Sequence, residues 1–167
     1  MELWDAYEAD GTLAGFDLVR GEKIPARYFH MVCEAVIRHA DGDYLLMQRS
    51  FEKEVYPGAW EIGAGGSALK GEGKLEAMFR EVREETGIDT GEFEEIYRVI
   101  HEQHQVIYYG YLLKTDYAKD AIKLQEGETI DYKWLTKEEF ISFFDMNREI
   151  PSLRERLKDF VDTIRSE

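Results

Sequence analysis

Residues 57–72 (PGAWEIGAGGSALKGE) carry Pro57 and five glycines, and they run straight into a segment of helical period, Lys74 to Thr86. The first stretch has the backbone punctuation of a loop with tight turns rather than a regular element. In the second, Leu75, Met78, Phe79 and Val82 recur as an apolar stripe, and Gly87 supplies the stop. The same helix places Glu81 three residues before Glu84 and four before Glu85. At about 3.6 residues per turn these carboxylates crowd one side. Like charges at that spacing oppose helix formation, so the sequence accepts a cost that a cation offsets. A hard divalent cation with oxygen ligands is the natural candidate. Mg²⁺ in particular takes a few carboxylates together with water and substrate phosphate. The plain alternative is a solvated, Glu-rich helix face.

The rest of the composition narrows the partners. Lys plus Arg total 21 against 35 Asp plus Glu in 167 residues, a formal net charge of −14. Such a field repels a polyanion, so duplex nucleic acid is not an expected partner. An anionic small molecule is still accessible if divalent cations bridge it to the acids. The single cysteine, Cys33, rules out an internal disulfide framework and fits a reducing compartment. The N-terminus MELWDAYEAD lacks the order of a signal peptide, and no apolar run approaches the ~18 residues of a membrane span. The expectation is one cytoplasmic domain spanning residues 1–167, with no membrane partner.

Around the central loop and helix, residues 2–8 and 13–20 read as strands about the turn Asp10-Gly11. His30 to Arg38 and Tyr44 to Arg49 form a second hairpin across Ala40-Asp41-Gly42-Asp43. Residues 93–100, 105–114 and 130–135 read as further strands. Thr136-Lys137-Glu138-Glu139 opens a short helix with a capping box, and Ser152 to Arg165 forms an amphipathic terminal helix. Strands and helices alternate without a βαβ rhythm, which predicts an α+β fold with a mixed sheet flanked by helices.

The spacing in GSALKGEGKLEAMFREVREETGI, residues 66–88, is specific: Gly66, five residues, Glu72, seven residues, then Arg80-Glu81-Val82-x-Glu84-Glu85-x-Gly87-Ile88. It resembles the signature of the Nudix hydrolase superfamily at every specified position. The resemblance implies a mixed β-sheet sandwiched between helices (α/β/α), with a loop–helix–loop carrying a metal site. It implies a substrate in which a diphosphate is linked to another group X and cleaved at a phosphoanhydride. Glu81, Glu84 and Glu85 become the metal ligands, for Mg²⁺ or alternatively Mn²⁺. Arg80 and Glu72 brace the loop–helix–loop by an ion pair, with Gly66 and Gly87 as structural support. Metal ions of this kind neutralise the diphosphate and lower the pKa of an attacking water, whose proton a carboxylate accepts. The catalytic candidates are Glu84 first, with Glu81 and Glu128. Glu128, six residues before Trp134, resembles an additional acid of some members and equally reads as a surface turn residue. Nudix relatives are often homodimers, so a homodimer is a further expectation.

QRSFEKEVYPGAWE (48–61), ETIDYKWL (128–135) and the N-terminal hairpin resemble the branch containing type 1 isopentenyl-diphosphate isomerase. Arg49 and Lys53 match basic residues that hold the diphosphate there, although ordinary surface charge is the alternative. The isomerase's own chemistry does not carry over. Its catalytic cysteine falls on Gly65, two metal histidines fall on Ser67 and Lys23, and its later acid pair falls on Glu102 and His104. One metal histidine is retained as His30. Cys33 lies in an apolar strand, where a buried, inert thiol is usual. His30, Glu102 and His104 could form a second metal site, with strand-edge or substrate-contact histidines as the alternative. Trp60, Tyr108, Tyr109 and Tyr111 read as core or as a stacking platform. Three readings follow: a hydrolase of a small diphosphate compound, an isomerase-like enzyme, and a catalytically silent nucleotide sensor.

Overall fold

The computed structural model describes residues 1–146 and 151–166. Its elements follow the chain as β1 (Leu3–Tyr7), β2 (Leu13–Val19), β3 (His30–His39), β4 (Tyr44–Arg49), β5 (Trp60–Ile62) and β6 (Ala64–Ser67). Then come α1 (Lys74–Thr86), β7 (Glu92–His101), β8 (Val106–Thr115), a short 3₁₀ turn at Lys119–Ala121, β9 (Thr129–Leu135), α2 (Lys137–Asp145) and α3 (Pro151–Arg165). Strands β1 and β2 make a separate antiparallel hairpin, and the other seven form one sheet. Within it β3 and β8 run parallel over their full lengths, His30 opposite Val106 through His39 opposite Thr115. The remaining pairs are antiparallel, so the sheet is mixed as expected.

Period-two alternation builds a core on each face of the sheet. Cys33, Ala35, Ile37, Leu45, Met47, Ile107 and Leu113 face α1 and pack against Ala77, Met78 and Val82. Val36, Tyr44, Leu46 and Leu112 face the other way, onto Phe140, Phe143, Leu157 and Val161 of α2 and α3. Glu34, between Cys33 and Ala35, therefore points toward α3 and not α1. Thr136 caps α2 reciprocally: its Oγ1 accepts from the Glu139 N–H, and Glu139 Oε2 accepts from the Thr136 N–H. No helix among the described residues is long and apolar enough to cross a membrane.

Two expectations need correction. The segment 57–72 is not wholly a loop, because it contains β5 and β6. Glycine here serves close approach as well as turning: a Cβ on Gly65 would stand 2.7 Å from the Cys33 carbonyl oxygen and 3.0 Å from the Glu34 Cα. That lets β6 lie against β3 across Val32 to Ala35. The apolar stripe of α1 also splits. Met78 and Val82 are buried with Ala77, Glu85 and Thr86, whereas Leu75 and Phe79 are exposed. The helix turns a mixed face, small and acidic as well as apolar, toward β6.

Candidate active site

The loop before α1 is held in place by one guanidinium. Arg80 donates from Nε to Glu72 Oε1 at 2.7 Å and from Nη2 to Glu72 Oε2 at 2.9 Å, a bidentate pair. It also reaches the Ser67 carbonyl at 3.0 Å, Glu81 at 2.8 Å and Glu84 at 3.3 Å. Glu72 in turn accepts from the Leu69 N–H at 2.8 Å. The Arg80 hydrogen bonds, set against partial burial, hold the Glu72 carboxyl below the usual carboxylate range. Gly66 passes directly over Glu81, and any Cβ there would collide with the Glu81 carboxylate. Gly87 ends the helix in the left-handed region at φ 78°, donating to the Arg83 carbonyl at 3.0 Å.

Glu81, Glu84 and Glu85 line one cleft of about 370 Å³ together with Gly65 and Gly66. Their environments differ. The Glu84 side chain is 47% exposed and that of Glu81 only 14%, and Glu85 is buried. Burial, reinforced by the neighbouring acids Glu61 and Glu81, pushes the Glu85 carboxyl well up, against one long contact from the Gly65 N–H at 3.4 Å. Burial likewise pushes Glu81 up. Arg80 holds Glu81 and Glu84, and no three His, Cys, Asp or Glu side chains among the described residues are drawn into a metal cluster. The donor set nonetheless suits a hard cation: oxygen donors only, with the buried Glu85 carboxylate holding a single long contact.

Other elements complete the wall. Arg49, at the end of β4, donates from Nη1 to Glu61 at 3.0 Å and from Nε to the Val55 carbonyl at 3.1 Å. Lys53 pairs with Glu128. All three of Arg49, Lys53 and Glu128 line the carboxylate cleft. Glu2 and Arg20, from the N-terminal hairpin, line it too and were missed in the sequence.

A second cleft, of about 470 Å³, shares Arg49 and Gly65 with the first and extends between β3, β8 and α3. Its half-buried polar centre is Glu34, gripped by Arg156 from Nε at 2.8 Å and Nη2 at 2.5 Å and accepting from the Tyr97 hydroxyl at 2.6 Å. The Arg156 guanidinium lies 3.7 Å from the Tyr108 ring centroid. None of these roles was read from the sequence, although an acid inside the apolar run HMVCEAVIRH signals a buried partner. Tyr108 lines this cleft, whereas Tyr109 and Tyr111 are core and Trp60 packs against the α2–α3 core.

His30 and His104 share the second cleft, but Glu102 is exposed and does not line it. His104 instead stacks on His101 at 4.2 Å, and His30 on Trp4 at 4.3 Å. Burial lowers His30 to about 4, so its ring is neutral at ordinary pH. The thiol of Cys33 is fully buried, and burial pushes it up to about 12. It is an inert core residue, as its strand context suggested.

A mixed sheet between helices, with a carboxylate-bearing helix entered through a glycine-rich loop, defines a Nudix domain. Residues 29–159 match the family described as NUDIX domain. A Nudix hydrolase of Listeria monocytogenes, itself uncharacterised, is 33% identical over 159 residues, covering 89% of this chain and 93% of its own. The nucleoside triphosphatase NudI of Salmonella arizonae is 32% identical over 117 residues, 64% of this chain and 82% of its own. Among solved structures, DR0079 of Deinococcus radiodurans superposes with a TM-score of 0.71 at 20% identity, over 99% of this chain and 98% of that one, a likeness of fold alone. The MutT protein of Methanosarcina mazei superposes with a TM-score of 0.61 at 27% identity, over 83% and 94%. The chain belongs to the Nudix hydrolase family and is a Nudix pyrophosphohydrolase.

Proposed function

We propose that the protein hydrolyses a phosphoanhydride in a small molecule containing a nucleoside diphosphate linked to X, or a related diphosphate, with a divalent cation bound by Glu81, Glu84 and Glu85. One observation carries this reading: three carboxylates of α1 line a single cleft whose facing wall supplies cations. Mg²⁺, or Mn²⁺ in its place, supplies neutralisation of the diphosphate and a more acidic water when bound. Glu84, the most exposed of the three, takes the proton of the attacking water at a carboxylate oxygen. Glu128, across the cleft, is the second acid available for that task. Arg49 and Lys53 orient the diphosphate, and Arg80 with Glu72 fixes the direction of the helix. The adjoining cleft sets the polar groups of Glu34, Arg156 and His104 among apolar side chains such as Val32, Val106 and Leu153, a lining suited to an X that offers both a ring or apolar surface and hydrogen-bonding groups. The likeness to a nucleoside triphosphatase points the same way.

The test is a phosphate- and pyrophosphate-release screen over nucleoside triphosphates, nucleotide sugars, ADP-ribose, dinucleoside polyphosphates and prenyl diphosphates, with Mg²⁺ and with chelator. The expected result is turnover of a nucleotide class that disappears with chelator. Silence across the panel despite nucleotide binding would move the reading to a sensor.

A further inference from the structure

The hairpin β1–β2 precedes the matched residues 29–159, yet it is fastened to the catalytic loop. The Lys70 N–H donates to the Leu3 carbonyl at 2.9 Å, and the Gly71 N–H donates to Asp5 Oδ2 at 2.7 Å. Lys70 Nζ also reaches Asp17 at 2.6 Å. Leu69 packs into the small core formed by Trp4, Ala6 and Leu18. So placed, the open end of the hairpin faces the carboxylate cleft, and Arg20 stands at its rim.

Four cations line that cleft among the described residues: Arg20, Arg49, Lys53 and Arg80. Each has a carboxylate partner, but the pairs differ in how readily they exchange. Arg49 and Glu61 are 16% and 18% exposed, so separating them strands a desolvated charge. Arg80 is committed to Glu72 by two short hydrogen bonds. Lys53 is 24% exposed against Glu128. Arg20 is 63% exposed, and it meets Glu2 through one nitrogen at 3.0 and 3.3 Å. An ion pair in that setting is weakly held. Glu2 also keeps a second donor when Arg20 leaves, because the Trp4 indole N–H reaches its Oε1 at 2.8 Å.

We propose that Arg20 is a phosphate-binding residue of the cleft, leaving Glu2 for a phosphate oxygen of the bound diphosphate, so that the N-terminal hairpin is part of the substrate site. A guanidinium is suited to this exchange, since its planar fork matches phosphate oxygens as well as carboxylate. The idea builds on the hydrolase reading for its ligand class, but binding tests it without turnover.

The experiment measures calorimetric binding of imidodiphosphate, a non-hydrolysable diphosphate, to the full chain with Mg²⁺ present. Wild type is compared with Arg20→Ala, Arg20→Lys and Glu2→Gln, with folding followed by thermal melts. The expected result is about a 10-fold weaker Kd for Arg20→Ala, partial recovery in Arg20→Lys, and no loss in Glu2→Gln. Raising salt narrows the gap between wild type and Arg20→Ala. Equal affinity of wild type and Arg20→Ala, or absence of diphosphate binding to wild type, overturns the proposal. Arg20-dependent binding with no turnover of any diphosphate compound instead discards the hydrolase reading and leaves Arg20 in place.

Discussion

Replacing Glu84 or Glu85 by Gln is expected to lower kcat by about a thousandfold, while the two variants differ in stability. The loss follows from the chemistry assigned to the pair: removing a carboxylate that receives a proton or holds a cation typically costs 10²–10⁴ in rate. Their surroundings then separate them. Glu84 is half exposed, and its loss removes only a weak i,i+4 contact to Arg80, so the melting temperature hardly moves. Glu85 is buried with one long hydrogen bond, and a neutral amide of the same shape relieves its desolvation. Glu85→Gln is therefore expected to be more stable than wild type in chelator, by roughly 1 kcal/mol, and nearly inactive. Steady-state kinetics with Mg²⁺ and melts with chelator read both effects. Near-normal turnover in both variants removes these residues from the mechanism.

Arg156→Ala is expected to destabilise the fold by about 3–5 kcal/mol. The Arg156 side chain is 6% exposed and that of Glu34 is 20% exposed. Truncating Arg156 leaves the half-buried Glu34 carboxylate with only the Tyr97 hydroxyl, and it removes the cation packed on Tyr108. It also removes the hydrogen-bonded tie between α3 and β3 at the edge of the second cleft, while the apolar packing of Leu157 and Val161 stays. For a chain of this length the melting temperature should fall by about 10 °C. The double change Glu34→Gln with Arg156→Met removes both charges and should recover more than half of that loss. A double-mutant cycle by thermal and denaturant unfolding measures the coupling. Additive effects would show that the pair contributes little to holding α3.

The parts of this molecule that sequence made legible are those in which local chemistry decides. The helix over Lys74–Thr86 was visible from its stop at Gly87 and its acid spacing, whereas the pair of Glu72 with Arg80 was expected only from the resemblance to the Nudix signature. The capped helix after Thr136 was equally local. Strands β5 and β6 were hidden because three- and four-residue segments set among glycines carry the marks of a turn, and only the pairing of β5 with β4 and of β6 with β3 makes them strands. Leu75 and Phe79 misled for a related reason: period alone does not say which of two adjacent helix faces the sheet accepts. The clamp of Arg156 on Glu34 joins residues 122 positions apart, and Arg20 reaches the cleft only because the hairpin folds onto Lys70 and Gly71. No spacing rule reports such meetings.

The most direct test of phosphoanhydride hydrolysis at the α1 cleft is turnover of the preferred diphosphate compound in ¹⁸O-labelled water, followed by mass spectrometry of the products. The account predicts one ¹⁸O in a phosphate product per bond cleaved, with label incorporation abolished by chelator and by Glu84→Gln. Label appearing only on a carbon-bound oxygen of X and on no phosphate, or phosphate labelling that persists unchanged with chelator and in Glu84→Gln, would contradict it.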